Sequence, residues 1–351
     1  MSLTLLVAIF SILVLVALHE LGHFFFAKKF GVRVEEFGIG LPPRFLGKRI
    51  GETLYSLNIL PFGAFVRLTG EEQRSEDPRS FSSRSLFQRM LIVAGGVVAF
   101  WLIAAVVFTV LGATSGIPMA VADEADAVNP QVQVLGVASQ SPAQEAGIKP
   151  GDVILGMTKV SEVQEASRSS QGKELSLDIQ RGKEVMNVTL VPRENPPAGQ
   201  GPLGVSLTRI AQVQYPWYRA PLEGVIITGR MTMQIVQELV GFLQSLVAGK
   251  GLPEGVQLTG PIGIVALLNN ALNFGLPHFF SFLAVLAVYL AIFNVLPIPA
   301  VDGGRLLFLG LEFLRKKPLE EALEKRIIMV SFGVLLVLFL WITIKDITNL
   351  L

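Results

Sequence analysis

Two histidines and a glutamate interrupt an otherwise apolar run over residues 3–27, as His19-Glu20-Leu21-Gly22-His23. On a helix, residues four apart lie one above the other, so both imidazoles share a face and the glutamate sits beside them. That set suits a divalent metal, with two nitrogen ligands and an acid–base group close by. The run is long enough to cross a bilayer, where a Glu and two His are costly unless they meet a polar partner or water. A bound cation removes that cost. The competing reading is a chance five-residue match in a soluble amphipathic helix, which apolar flanks on every face disfavour.

Charged residues make up only 16% of the 351, against about 25% in soluble globular chains. The deficit is local. It falls in four stretches, residues 3–27, 90–112, 279–296 and 327–344, each near the roughly 17–25 residues needed to span. The expected fold class is therefore an α-helical polytopic membrane protein with four transmembrane helices. The first stretch lacks a basic start and a small-residue cleavage site before Lys28-Lys29, so it reads as a retained span rather than a secretory signal. A net charge of +1 without a basic tract argues against a nucleic-acid partner. Cysteine is absent, which excludes disulfides, thiolate ligands and cysteine nucleophiles; any metal must be held by His, Asp or Glu. The histidines are His19, His23 and His278.

Basic residues cluster in two connections. Lys28, Lys29, Arg33, Arg44, Lys48, Arg49, Arg67, Arg74, Arg79, Arg84 and Arg89 separate the first two spans; Arg305, Arg315, Lys316, Lys317, Lys325 and Arg326 separate the last two. Both connections are expected in the cytoplasm, and the long segment of about residues 115–277 on the other side. The His-Glu-x-x-His then lies near the cytoplasmic face of the membrane.

The chain divides into four regions. Residues 1–114 form a first membrane half. Within it, residues 32–68 carry β-branched and alternating apolar positions punctuated by Gly38, Gly40, Pro42, Pro43, Gly47, Gly51, Pro61 and Gly63, which predicts two or three short hairpin strands. Irregular backbone at membrane depth is tolerated only against protein or water. This region is thus either a hairpin dipping beside the metal helix or a small β-unit on the cytoplasmic surface.

Residues 128–208 read as one small extracytoplasmic domain. It has a strand at 132–137, a short helix opened by Ser141-Pro142 and ended by Gly147, a hairpin of 174–179 with 184–191 across the 180–183 turn, and a last strand at 201–207. Residues 215–250 include an amphipathic helix at 222–248 that either lies on the membrane surface or packs on the soluble domain. Residues 258–351 form the second membrane half.

Two histidines leave a catalytic zinc site one protein ligand short. Asp302 stands out, in Asn294-Val295-Leu296-Pro297-Ile298-Pro299-Ala300-Val301-Asp302-Gly303-Gly304-Arg305, where prolines break the third span at the cytoplasmic level. The plain alternative is an Asp that merely caps a turn. His278, before the third span and so on the opposite side, is a weaker candidate.

The pairing of HExxH in a first span with N-x-x-P-x-P-x-x-D-G at a later one resembles the site-2 protease family of intramembrane zinc metalloproteases. Phe37-Gly38-Ile39-Gly40 through Pro61-Phe62-Gly63-Ala64-Phe65-Val66, and Thr259-Gly260-Pro261-Ile262-Gly263-Ile264, are similar to segments of its bacterial RseP-type branch. Ala146-Gly147-Ile148-Lys149-Pro150-Gly151-Asp152-Val153-Ile154 resembles a PDZ domain in permuted order.

The resemblance implies a membrane-re-entrant β-hairpin and an inserted PDZ-like domain. It implies Zn²⁺ on His19, His23 and Asp302, and Glu20 as general base. Asn294, Pro297, Gly63 and Phe65 would contact substrate, and Gly201, Pro202, Leu203, Gly204 and Val205 would form a carboxylate loop for a peptide C-terminus. The expected activity is cleavage of transmembrane segments of single-pass membrane proteins, such as anti-sigma factors or remnant signal peptides.

One departure stands out. Ala94-Gly95-Gly96-Val97-Val98-Ala99-Phe100 carries Gly and Ala where the family usually has Pro and Asn. A lost amide that served the reacting groups would lower activity by roughly 10²–10³. A catalytically weakened membrane PDZ scaffold or holdase is therefore an alternative. Another is a membrane-anchored zinc hydrolase acting on soluble substrates.

Overall fold

The computed structural model describes residues 3–71, 73, 75–182, 184–249 and 259–350; Arg74 and Lys183 lie outside them. The elements follow in the order α1 (Leu3–Lys29), β1 (Val34–Ile50), β2 (Thr53–Leu68), α2 (Leu86–Ala113), β3 (Ile117–Ala120), β4 (Val128–Val137), α3 (Pro142–Glu145), β5 (Val153–Ile154), α4 (Val160–Ser169), β6 (Leu175–Arg181), β7 (Glu184–Leu190), β8 (Val205–Val213), α5 (Ala220–Val247), α6 (Pro261–Asn273), α7 (Leu276–Val295), α8 (Asp302–Arg315) and α9 (Glu321–Leu350). Backbone packing divides them into two compact units, one of residues 1–107, 224–269 and 282–351, the other of residues 108–223 and 270–281.

Among the described residues, four helices are long and apolar enough to cross a membrane: Leu6–Lys29, Leu86–Ala113, Leu276–Val295 and Glu321–Thr348. The polytopic architecture is thus as expected. The spans extend beyond the apolar stretches because charged and polar residues at their ends continue the helices. The fourth gains most, since Glu321, Glu324 and Lys325 favour helix as much as the leucines that follow. His278 falls inside the first turn of α7 rather than before it.

In the first unit, α1 and α2 cross backbone to backbone. A Cβ built on Gly22 would lie 2.2 Å from the Gly95 carbonyl oxygen, and one on Gly95 would lie 2.7 Å from that of Gly22. Ala27, Val32, Val34, Leu68, Phe81, Ile92, Val93 and Leu309 form a core beneath this crossing.

The predicted short hairpin strands are instead two long ones that fold over each other. Phe37 of β1 has Val66 on one side and Tyr55 on the other, and Gly38 has Phe65 and Ser56. Gly40 permits the bend: its φ is +77°, and a Cβ there would sit 2.6 Å from Leu60 O. Glu36 is buried within this layer, paired with Arg44 and Arg67 and accepting from Ser56 Oγ at 2.7 Å. At the outer end of β1 the side chains turn outward, with Leu41, Phe45, Leu46 and Ile50 exposed alongside Arg44, Lys48 and Arg49.

Helix α5 is present nearly over the expected residues. Trp101 of α2, midway along a membrane span, donates Nε1–H to Thr232 Oγ1 at 3.2 Å. Ile227, Thr228 and Ile235 of α5 are buried. The part of α5 within this unit therefore packs beside a spanning helix. Helix α9 is held differently: among its described side chains only Asp346 is buried. Its carboxylate accepts from the Gly260 and Gly263 amides at 3.1 and 2.8 Å, closing the exposed amides at the start of α6.

The second unit is built on a six-stranded sheet in the order β3-β8-β4-β5-β6-β7. It begins earlier and ends later than expected, because β3 pairs with the far end of β8, Ile117 opposite Val213. The Gly201–Gly204 stretch is a turn, and the strand forms only from Val205. The short helix starts as expected, with Ser141 Oγ accepting from the Gln144 amide at 3.2 Å and Pro142 in its first turn. Helix α4, short and polar, was not foreseen. Val132, Val134, Ala143, Ile154, Val163, Leu177, Ile179 and Leu203 form the core.

Asp152, only 1% exposed, accepts from Lys149 N at 2.8 Å and from Arg181 Nε and Nη2 at 2.7 Å. It thereby ties the β5 turn to β6. Asp152→Ala leaves these donors without their anion and is expected to destabilise this unit by about 2–3 kcal/mol, given the partly exposed Arg. Denaturant unfolding followed by circular dichroism measures this; an unshifted midpoint would mean that water replaces the carboxylate.

Candidate metal centre

One turn of α1 separates His19 from His23, and the third donor arrives from the opposite end of the sequence at the start of α8. His19 Nε2 lies 3.2 Å from His23 Nε2 and 3.3 Å from Asp302 Oδ2, and the remaining side, His23 Nε2 to Asp302 Oδ2, is 3.4 Å. Ligands at zinc's usual bond lengths in a tetrahedron are about 3.3–3.4 Å apart. The triangle therefore has the size that one zinc ion would impose. Asp302 Oδ2 has no hydrogen-bond partner among the described residues, though it is buried. Three acceptor-type atoms pointed at one spot fit a cation and little else.

Both imidazoles are braced by α2. His23 Nδ1 lies 2.9 Å from the Ile92 carbonyl of α2, so that nitrogen carries the proton and Nε2 is free to ligate. His19 stacks on Phe100. Between these two supports sits Gly96: a Cβ there would fall 2.3 Å from both His19 Cε1 and His23 Nε2. The rings here fill the space that a side chain at 96 would need. Glycine at 96 thus leaves room for both imidazoles. The structure gives no role for Ala99 beyond facing Gly22.

Asp302 is the first residue of α8. Gly303 and Gly304 are needed beside it because added Cβ atoms would strike the Leu296 and Ile298 carbonyl oxygens at 2.1 and 2.4 Å. Further along the same helix face, Arg305 pairs with Glu71, and Glu312 accepts from Arg89 Nη1 and Nη2 at 3.0 and 2.5 Å. Both pairs join α8 to the first membrane half, and so fix where Asp302 stands.

Glu20 lies beside the triangle but outside it. Its Oε2 accepts from the Val66 amide at 3.0 Å, which places the end of β2 against the metal helix. Phe65 packs over Gly38, and its ring carries Arg67 at 5.8 Å. Gly63, two residues earlier within β2, adopts φ +76°. Asn294 donates its amide to Leu290 O at 2.9 Å, within α7, and Pro297 sits where α7 has ended. The convergent group among the described residues consists of His19, His23 and Asp302, without His278.

In the second unit, Gly201–Val205 borders a cavity of about 170 Å³ walled by Val160, Val163, Ser167 and Arg168 of α4. Leu203 turns inward, only 3% exposed, and its carbonyl accepts from Ala143 N at 3.2 Å.

Ile92, Gly96, Phe100, Val66, Glu71, Arg89 and Glu312 are absent from the sequence reading as site residues. Of these, Val66, Gly96 and Phe100 stand in segments that resemble the family, and only Gly96 departs from its pattern. The others act through backbone atoms, a ring face or remote charge pairs, and none carries a spacing signature.

Comparison with known proteins bears on this centre directly. A sequence profile described as peptidase family M50 matches residues 7–338. A Clostridium perfringens protein, provisionally named a zinc metalloprotease, is 34% identical, with 96% of each chain covered. Zinc metalloprotease RasP of Oceanobacillus iheyensis is 26% identical over 96% of this chain and 97% of its own. The regulator of sigma-W protease RasP of Bacillus subtilis is 25% identical over 96% of each.

Replacing His19 or Asp302 with alanine is expected to abolish stoichiometric zinc in the purified protein, as measured by metal analysis. Gly96→Ala should weaken binding at least about 100-fold, because its methyl competes with both rings for one volume. Full zinc content in Gly96→Ala would show that the imidazoles can retreat without leaving the ion.

Proposed function

The chain belongs to peptidase family M50, and from that premise we propose that it is an RseP-type intramembrane zinc endopeptidase. It is a multi-pass protein of a bacterial membrane, and its cofactor is Zn²⁺. The observation that carries the reading is the donor triangle of His19, His23 and Asp302, 3.2–3.4 Å on a side, with Glu20 next to it inside an apolar span.

Bound zinc supplies Lewis-acid polarisation of water and of the scissile carbonyl. Glu20 takes the proton of the attacking water and returns it to the departing amine. Its hydrogen bond to Val66 N keeps the carboxylate aimed and accessible. A helical substrate must unwind, because its carbonyls are committed to i→i−4 bonds. The β1–β2 layer, read as re-entrant, offers the strand around Gly63 and Phe65 for the released segment, and Asn294 and Pro297 are the further substrate contacts in this reading. Spent bonds are thus replaced within the protein rather than by lipid.

The substrates in this reading are transmembrane segments of single-pass membrane proteins, of the anti-sigma-factor or remnant-signal-peptide type. The name of the Bacillus subtilis relative, a regulator of sigma-W protease, supports the first. The six-stranded unit is read as an extracytoplasmic PDZ-like domain. Its groove between α4 and β8, closed by Gly201–Val205, suits a peptide C-terminus. By the distribution of basic residues the metal centre lies near the cytoplasmic face. The scaffold alternative rests on the missing Pro and Asn at 96 and 99. The intact donor set favours catalysis.

Cleavage of a membrane-inserted single-pass reporter distinguishes the readings. The expected outcome is chelator-sensitive cutting that falls about 10²–10⁴-fold in Glu20→Gln while zinc is retained. Equal cutting by the mutant would remove the mechanism, and no cutting by either would favour the scaffold.

A further inference from the structure

Metal-ligating imidazoles ordinarily give their second ring N–H to a carbonyl or carboxylate, which fixes both the tautomer and the plane of the ring. His23 follows that rule through Ile92 O. His19 departs from it. Its Nδ1 is buried and meets no hydrogen-bond partner among the described residues. What the ring meets is Phe100 of α2, with centroids 4.3 Å apart and planes 20° apart. Phe100 is itself 2% exposed, so it has no room to swing aside. The edge of the His19 ring abuts the α2 backbone at Gly96, and its plane stands at 87° to that of His23.

We propose that Phe100 is the positioning residue of His19, holding the first zinc-ligating imidazole by its ring face where a hydrogen bond would ordinarily hold it. A stacked phenyl fixes the tilt of the imidazole and leaves Nε2 directed at His23 and Asp302. It also makes the two histidines unequal as ligands. His23, hydrogen-bonded at Nδ1, is the more basic donor, and His19, with its Nδ1–H unpaired, is the weaker one. The inference rests on the zinc-site reading, and it concerns a residue that ligates nothing.

The test uses the full chain in detergent. Zinc affinity is read by chelator competition, and ligand geometry by the visible absorption of the Co²⁺-substituted protein. Phe100→Leu, apolar and of similar bulk but not aromatic, is the decisive variant. It is expected to weaken zinc binding about 10–100-fold, the range for outer-shell partners of metal ligands, and to alter the Co²⁺ bands. Phe100→Tyr, which keeps the ring, should stay near wild type in both. Phe108→Leu, at a position on α2 equally buried at 1% exposed, should lose stability without changing either readout. Wild-type affinity and spectrum in Phe100→Leu, or a Tyr variant as impaired as the Leu one, would overturn the proposal. Neither readout needs peptide cleavage, so a failure of the protease reading is seen separately.

Discussion

Three electron-rich atoms held within 3.4 Å of one another repel unless a positive charge stands between them. That repulsion is the central constraint on the first unit. Its chain is arranged to impose it, bringing α1, α2 and α8 together at one point with little freedom left in any of them. The backbone of α2 presses on the imidazoles from one side, and two ion pairs anchor the helix that presents the carboxylate. An isolated Asp at a helix start is a common capping device. Here the flanking glycines and charge pairs turn it into a donor that cannot withdraw.

The same need for polar satisfaction explains the β-layer. A glutamate inside an apolar span requires a partner, and Val66 provides one from its backbone. Backbone in extended form beside a membrane helix requires partners of its own, which β1 and β2 give each other by folding over so that Phe37 and Gly38 are flanked on both sides. Glu36, buried with Arg44, Arg67 and Ser56, fastens that layer internally. One polar requirement is met by creating a structure that has others, and each is closed within the protein.

Much of this was legible in the sequence, because hydropathy and motif spacing are strong signals over long stretches. The four spans, His19, Glu20, His23 and Asp302 were readable from apolar length and from the rarity of ionisable groups within it. The details that set geometry were not. Helix α8 is short and amphipathic and follows a proline-rich break, so its pattern was too brief to stand out. Arg305 and Glu71 pair across 234 residues of chain, a relation that no local pattern encodes. Phe100 reads as one more apolar residue in a span, and only the placement of His19 against it reveals anything further. The last strand of the second unit began later than expected because Gly201–Gly204 spends its residues on a turn.

The crossing of Gly22 on Gly95 has a consequence for how such a chain can change length. With no side chain between the two helices, their rotational phase is locked by backbone alone, and one inserted or deleted residue in either turns everything beyond it by about 100°. Ile92 on one side of Gly95, or Gly96 and Phe100 on the other, would then face away from the imidazoles. Connecting segments can grow or shrink between relatives, but these two helices admit no indel on the path from their crossing to the ligands.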